Sequence, residues 1–130
     1  MREIKRIIVH HTATPQTTTV ESIRGYHMNS LGWRDIGYHY LIAQDMIRLG
    51  RPVHIQGAHC SGNNEDSIGV AVIGDYRYGK DDFDSGTLAI LLEDLCRQYP
   101  GVRIFGHKEL ANTLCPGEQI MDWLKAWRAE

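Results

Sequence analysis

Long apolar runs are missing from this chain of 130 residues. It opens "MREIKRIIVHHTAT", where the only apolar stretch is "IIV". That is too short for the core of a signal peptide and far too short to span a bilayer. The expectation is synthesis in the cytoplasm without a signal peptide, with no membrane as partner. An excess of either charge is missing too. Lys and Arg number 14 against 16 Asp and Glu, a formal net charge of -2, so no broad nucleic-acid-binding surface is expected. Lys5, Arg6, Arg24, Arg34, Arg48 and Arg51 are scattered and read as solvated surface. Cysteine is scarce: Cys60, Cys96 and Cys115 are three, at irregular spacings, which argues against a disulfide framework. Repeats, low-complexity tracts and linkers rich in Pro, Gly or Ser are absent, so nothing divides the chain into parts.

What remains is the composition of one globular domain over residues 1–130, with 42% hydrophobic and 23% charged residues, large enough to bury a core without disulfides or a structural metal. "IKRIIVHH" (4–11) is β-branched and apolar enough for a buried strand running into the turn-prone "TATPQ". Thr18 and Glu21 are spaced as a capping box, and Val20, Ile23, His27 and Leu31 then fall on one helical face. "GYHYLIAQ" (37–44) and "MIRLGRPV" (46–53) read as a hairpin turning near Asp45, and "SIGVAVIGDY" (67–76) as an interior strand. Leu88, Leu91, Leu92, Leu95 and Tyr99 follow at helical spacing up to Pro100-Gly101. "VRIFG" (102–106) is a last strand, and Ile120, Trp123, Leu124 and Trp127 mark a last amphipathic helix. The predicted class is α/β: a central mixed sheet flanked by helices.

The chemistry lies in histidine and cysteine. "GHKELANTLCPG" sets His107 and Cys115 eight positions apart, a spacing that fits no zinc finger. His107 stands just past one predicted strand, and His10 and His11 stand at the end of another, where such sheets deliver functional side chains. Two histidines and a cysteine would give zinc three protein ligands and one open position, the arrangement of a catalytic site. The plain alternative is a free cysteine buried as a small hydrophobe, among seven histidines that throw up suggestive pairs by chance.

Four stretches settle the matter by resemblance. "IIVHHTAT", "GWRDIGYHYLI", "GAHCSGNNEDSIGVAVIGDY" and "IFGHKELANTLCPG" resemble, in order and at similar spacing from Ile4 to Pro116, the zinc N-acetylmuramoyl-L-alanine amidases of type 2. That family includes phage T7 lysozyme and the peptidoglycan recognition proteins. The resemblance implies one catalytic Zn2+ held by His10, His107 and Cys115, with His11 turned to the other face of its strand. It implies Tyr38 and Thr113 as catalytic residues, Thr113 standing where T7 lysozyme carries lysine. His59 matches a groove position of the family and is expected to contact substrate, while Asn63 and Asn64 either cap the turn before Ser67 or, Asn64 above all, contact the peptide stem. His27 reads as a hydrogen-bonded core histidine, and His39 as a structural or supporting residue. Cys60 and Cys96 read as inert thiols, and His54, Trp33, Trp123 and Trp127 as surface and packing residues.

The implied reaction is hydrolysis of the amide between N-acetylmuramic acid and L-alanine of peptidoglycan or a muropeptide. The expected setting is a phage or prophage endolysin, monomeric and reaching the cell wall through a holin or another export route, with a cytoplasmic enzyme recycling muropeptides or an exported effector as equal alternatives. The alternative is a protein of the same fold without catalysis that binds peptidoglycan or regulates a polymerase as a protein partner. Retention of Cys115 weighs against a pure binder.

Overall fold

The apolar run after Arg6 becomes β1 (Arg6–His11), on which a five-stranded sheet is ordered. The computed structural model describes residues 2–79 and 82–130. After β1 come α1 (Val20–Gly25), β2 (Tyr40–Ala43), β3 (Met46–Leu49), β4 (Ser67–Val72), α2 (Ser85–Gln98), β5 (Arg103–Gly106) and α3 (Glu118–Arg128). The spatial order is β3-β2-β4-β1-β5. β1 runs parallel to β4 and β5, β2 runs parallel to β4, and the β2/β3 hairpin is antiparallel. This is the mixed, helix-covered sheet expected. No helix among the described residues is long and apolar enough to cross a membrane.

Strand alternation sorts side chains onto the two faces of the sheet. Ile7 and Val9 of β1 join the core that holds Leu88, Leu92 and Leu95 of α2 and Ile120 and Leu124 of α3. Leu41, Ala71 and Ile73 pack on the other side with Val20 and Ile23 of α1. The leucine stripe of α2 recurs every three or four residues, and the Asp84 carboxylate starts that helix by accepting from the Thr87 N–H at 3.1 Å. Each such buried leucine contributes about 1.5–3 kcal/mol over its exposed state.

The same alternation aims the histidines. With Val9 turned towards α2 and α3, His10 must point to the opposite face and His11 back again. β1 and β5 are in parallel register with Val9 opposite Gly106, so the next residues, His10 and His107, leave neighbouring strands side by side. They do so at the carboxyl ends, where open sheets of this kind hold their ligands.

Several expected details are corrected. α1 is capped by Thr19, whose Oγ1 accepts from the Ser22 N–H at 3.0 Å, and not by a Thr18/Glu21 box. The Glu21 carboxylate instead pairs with Arg48 at 3.2 Å. Past Gly25 the helix widens into a π-turn over Tyr26–Ser30, which shifts the helical phase. Leu31, expected on the buried face, is therefore 43% exposed. The strands end earlier than the apolar pattern does. Residues 37–39 lie outside the ladder, with His39 N–H donating to the Gly69 carbonyl at 2.9 Å and Gly37 pressed against Ala58 and Trp33. β3 stops at Leu49, and β4 stops before Gly74, whose φ of 141° few other residues could adopt.

Candidate metal centre

One ligand atom each of His10, His107 and Cys115 falls within 4.8 Å of the others, the group among the described residues arranged to hold a metal. His10 comes from the end of β1 and His107 from the first residue after β5. Cys115 returns to them across the intervening loop of seven residues, tied by the Lys108 N–H donating to the Cys115 carbonyl at 2.8 Å. His10 is fully buried, and its ring centroid lies 4.5 Å from that of His107.

Three observations test whether these residues fit zinc. Zn–N bonds of about 2.0–2.1 Å and a Zn–S bond of about 2.3 Å at a tetrahedral angle place nitrogen and sulfur about 3.6 Å apart. His10 Nδ1 and Cys115 Sγ are 3.6 Å apart. His107 Nδ1 is buried with no hydrogen-bond partner, and a cation is what would satisfy its lone pair in the Nε2–H tautomer. The protonation states also suit ligation. Burial, then the neighbouring His59 and His107, hold His10 well below the usual imidazole range, and burial lowers His107; both are neutral at pH 7, as ligands must be. Burial pushes the Cys115 thiol up to about 12, against the opposing effect of the His11 N–H that points at Sγ from 3.4 Å. A thiol so placed becomes a thiolate when a cation arrives. The residues fit.

An open hollow of about 440 Å³ stands over this group and is lined also by Tyr38, Thr113, His59, Ala13, Leu114 and Arg77. The Tyr38 ring lies between those of His10 and His27, at centroid distances of 5.3 and 5.7 Å. Burial, and next the Cys115 thiol, raise its phenol above the ordinary value, so it is a neutral donor at any physiological pH. Thr113 Oγ1 accepts from the Cys115 N–H at 3.2 Å, which leaves its own hydrogen free to donate. A larger hollow of about 710 Å³ borders Arg2 and Arg6, but it brings together no metal-ligating set. The Arg2 guanidinium there is spent on the Val53, Asn64 and Ser67 carbonyls, and that of Arg6 on Asp66 and Asn63.

The profile of the family described as N-acetylmuramoyl-L-alanine amidase matches residues 1–118. The chain belongs to this family. Peptidoglycan-recognition protein SC2 of Drosophila melanogaster is 34% identical over 132 residues, covering 92% of this chain and 72% of that protein. The endolysin of Escherichia phage T7 is 35% identical over 130 residues, covering 90% of this chain and 83% of its own. Among solved structures, tracheal cytotoxin bound to the ectodomain complex of peptidoglycan recognition proteins LCa and LCx matches with a TM-score of 0.88 at 29% identity, covering 98% of this chain and 84% of that one. Recognition proteins and an endolysin thus stand together as relatives, and membership of the amidase family alone does not separate binding from cutting.

Other residues singled out from the sequence have definite places in this amidase-family fold. His11 borders the same hollow and its backbone touches Cys115 Sγ, but its ring is taken by the Tyr76 N–H, from which Nδ1 accepts at 3.1 Å. His27 Nδ1 accepts from the Gly37 N–H at 2.9 Å, a core histidine as read. His39 accepts from the Gly69 N–H at 3.0 Å and donates to the Ile55 carbonyl at 2.8 Å, holding two loops to β4. His59 is buried against His10, with Nδ1 2.9 Å from His10 Nε2. Asn64 lies outside the hollow, and its Oδ1 accepts from the N–H groups of His59 and Cys60 at 3.0 and 2.9 Å. The sequence reading did not single out Arg77, held at the rim by both carboxylate oxygens of Asp75, nor Leu114 and Ala13. Leu114 could have been found from its place beside Cys115. Nothing local announces Arg77, which reaches the hollow through the turn after β4.

Proposed function

We propose that this chain is a zinc-dependent N-acetylmuramoyl-L-alanine amidase that hydrolyses the amide joining N-acetylmuramic acid to L-alanine of the peptidoglycan stem. The observation that carries the reading is that His10, His107 and Cys115 meet beneath an open hollow that also receives Tyr38 and Thr113. A purely structural zinc site would be closed by a fourth ligand and would need no such hollow.

When bound, zinc supplies Lewis acidity, which activates water near neutral pH and polarises an amide carbonyl. The chain's own residues do the rest. Cys115 gives up its thiol proton on metal binding, and the His11 N–H directed at Sγ helps to hold the resulting charge. The Tyr38 hydroxyl donates to the oxygen that gains negative charge as the amide carbon becomes tetrahedral. Thr113 supports the same charge with a neutral hydrogen, in place of the full positive charge that lysine would bring. The walls of the hollow hold the substrate amide against these groups, which is the positioning part of the acceleration.

The setting proposed is a phage or prophage endolysin acting as a monomer, released to the wall by a holin or another export route. The test is digestion of purified sacculi by the zinc-loaded protein and again after chelation, with products identified by mass. Free stem peptides and glycan stripped of them, seen only with metal, are the expected result. No cleavage by a folded protein that retains zinc would overturn the reading and leave peptidoglycan binding or a regulatory task. Cleavage of soluble muropeptides with intact sacculi untouched would refute the endolysin setting alone.

A further inference from the structure

The buried group beside the metal ligands that the chemistry above leaves unused is His59. Both of its ring nitrogens are engaged: Nδ1 lies 2.9 Å from His10 Nε2, and Nε2 lies 3.3 Å from Ser67 Oγ. The direction of every hydrogen follows from the far end of this chain. Ser67 Oγ is 2.7 Å from the Asn63 carbonyl oxygen, which can only accept. The serine therefore donates its single hydrogen there and accepts from His59 Nε2–H. A neutral imidazole carries one N–H, so His59 Nδ1 is bare and His10 Nε2 must be the donor to it. His10 Nδ1 is left with its lone pair, and it is this nitrogen that lies 3.6 Å from Cys115 Sγ.

We propose that His59, anchored by Ser67, is a positioning residue that fixes the tautomer and ring orientation of His10 and so sets the affinity of the site for zinc. The inference rests on the zinc reading given above. The surroundings are shaped for it. A Cβ on Gly69 would stand 2.6 Å from the His59 ring and one on Gly57 2.8 Å, so two glycines form the slot that the imidazole fills. Gly69 lies within β4, where glycine ordinarily weakens a strand and often marks a close approach. Asn64 Oδ1 pins the backbone at His59 and Cys60. Both His59 nitrogens are occupied inside the protein, and Asn64 supports the turn that carries the ring. Groups that hold the second nitrogen of a metal-binding histidine commonly change metal affinity by about 10–100-fold.

The test measures zinc dissociation constants of the full chain by competition with a chromophoric chelator, alongside the melting temperature of the metal-free protein. Wild type must first bind zinc; if it does not, the functional reading itself fails. His59→Leu keeps most of the volume and removes the acceptor, and weakening of zinc binding by about 10–100-fold is expected. His59→Asn, whose amide oxygen sits as many bonds from Cβ as Nδ1 does, should recover most of that loss. Ser67→Ala, which frees His59 to present either nitrogen, should weaken binding severalfold. A merely structural role would lower the metal-free melting temperature in both His59 variants while leaving zinc affinity within about twofold of wild type, and that result overturns the proposal. Nitrogen-15 NMR of the metal-free wild type gives a check that needs no variant: His10 should be the Nε2–H tautomer, and an Nδ1–H tautomer refutes the chain of donors.

Discussion

Replacing Tyr38 by phenylalanine would remove one hydroxyl and little else. The ring sits between His10 and His27 and against the smaller core under α1, contacts that phenylalanine can make unchanged. Stability should fall by less than about 1 kcal/mol, a change of a few degrees in melting temperature at this chain length. Zinc content should not change, because the hydroxyl is not a ligand. Catalysis should. Removing one donor aimed at developing negative charge costs about 10²–10³ in kcat, or roughly 2.7–4 kcal/mol. Because burial raises the phenol's pKa, the donor stays protonated through the neutral range, so the deficit should be the same at every pH where wild type is active. The assay is kcat and KM on a purified muropeptide, with zinc per chain measured on the same samples. A kcat within about threefold of wild type would remove Tyr38 from the chemistry. Loss of zinc together with activity would show that the hydroxyl supports the metal site itself and would leave its part in the chemistry unproven.

Cys115→Ala should abolish zinc retention and hydrolysis together, read by metal analysis and sacculus digestion; full activity in this variant would sink the mechanism. Thr113→Val removes the hydroxyl that accepts from Cys115 N–H and lines the hollow, and kcat should fall by about tenfold or more with zinc retained; unchanged turnover would leave Thr113 a structural cap of Cys115. His39 gives a prediction away from the metal. Burial is the main reason its pKa is lowered to about 4, so the unfolded chain binds this proton more readily than the folded one. The stabilisation is complete above the unfolded value near 6.5 and is lost as pH falls towards 4, by up to about 3 kcal/mol. Urea unfolding of the metal-free protein between these pH values should show a slope that His39→Gln reduces by about one proton, and an unchanged slope would refute the assignment.

How far the sequence foretold this depended on whether the signal was local. The hairpin was legible because Leu41 and Ile42 precede a two-residue turn at Gln44 and Asp45, and the helices because their apolar residues recur at helical spacing. Alternation along β1 said that only one of His10 and His11 could face the cluster, and the family resemblance said which. The cap of α1 was not legible, since Thr18 and Thr19 are adjacent and equally suited, and only the structure shows which hydroxyl meets a free N–H. The π-turn that exposes Leu31 follows from the way Trp33 N–H and Gly37 N–H both bond to His27, contacts set by the tertiary fold. The partner of His59 was hidden for a similar reason. His10 lies 49 residues away in sequence, and no local pattern in "GAHCSG" says which nitrogen faces what.

The energetics explain why such a cluster can be built into a fold that does not depend on it. Charged groups are costly to bury, but without metal every member here is neutral: burial lowers the imidazoles of His10, His59 and His107 and raises the thiol of Cys115. Among the described residues His107 Nδ1 is the one fully buried polar side-chain atom of the cluster without a partner. The cost of keeping the site is therefore modest, and the two apolar layers on either side of the sheet can meet it. A chain that needed metal to fold would be expected to have little core of its own. Here the core exists independently, the nitrogen of His10 and the sulfur of Cys115 already stand 3.6 Å apart, and under the proposed function the energy of zinc binding would not have to be spent on folding. It would be left to hold a reactive ion at an open hollow, which is what the proposed hydrolysis requires.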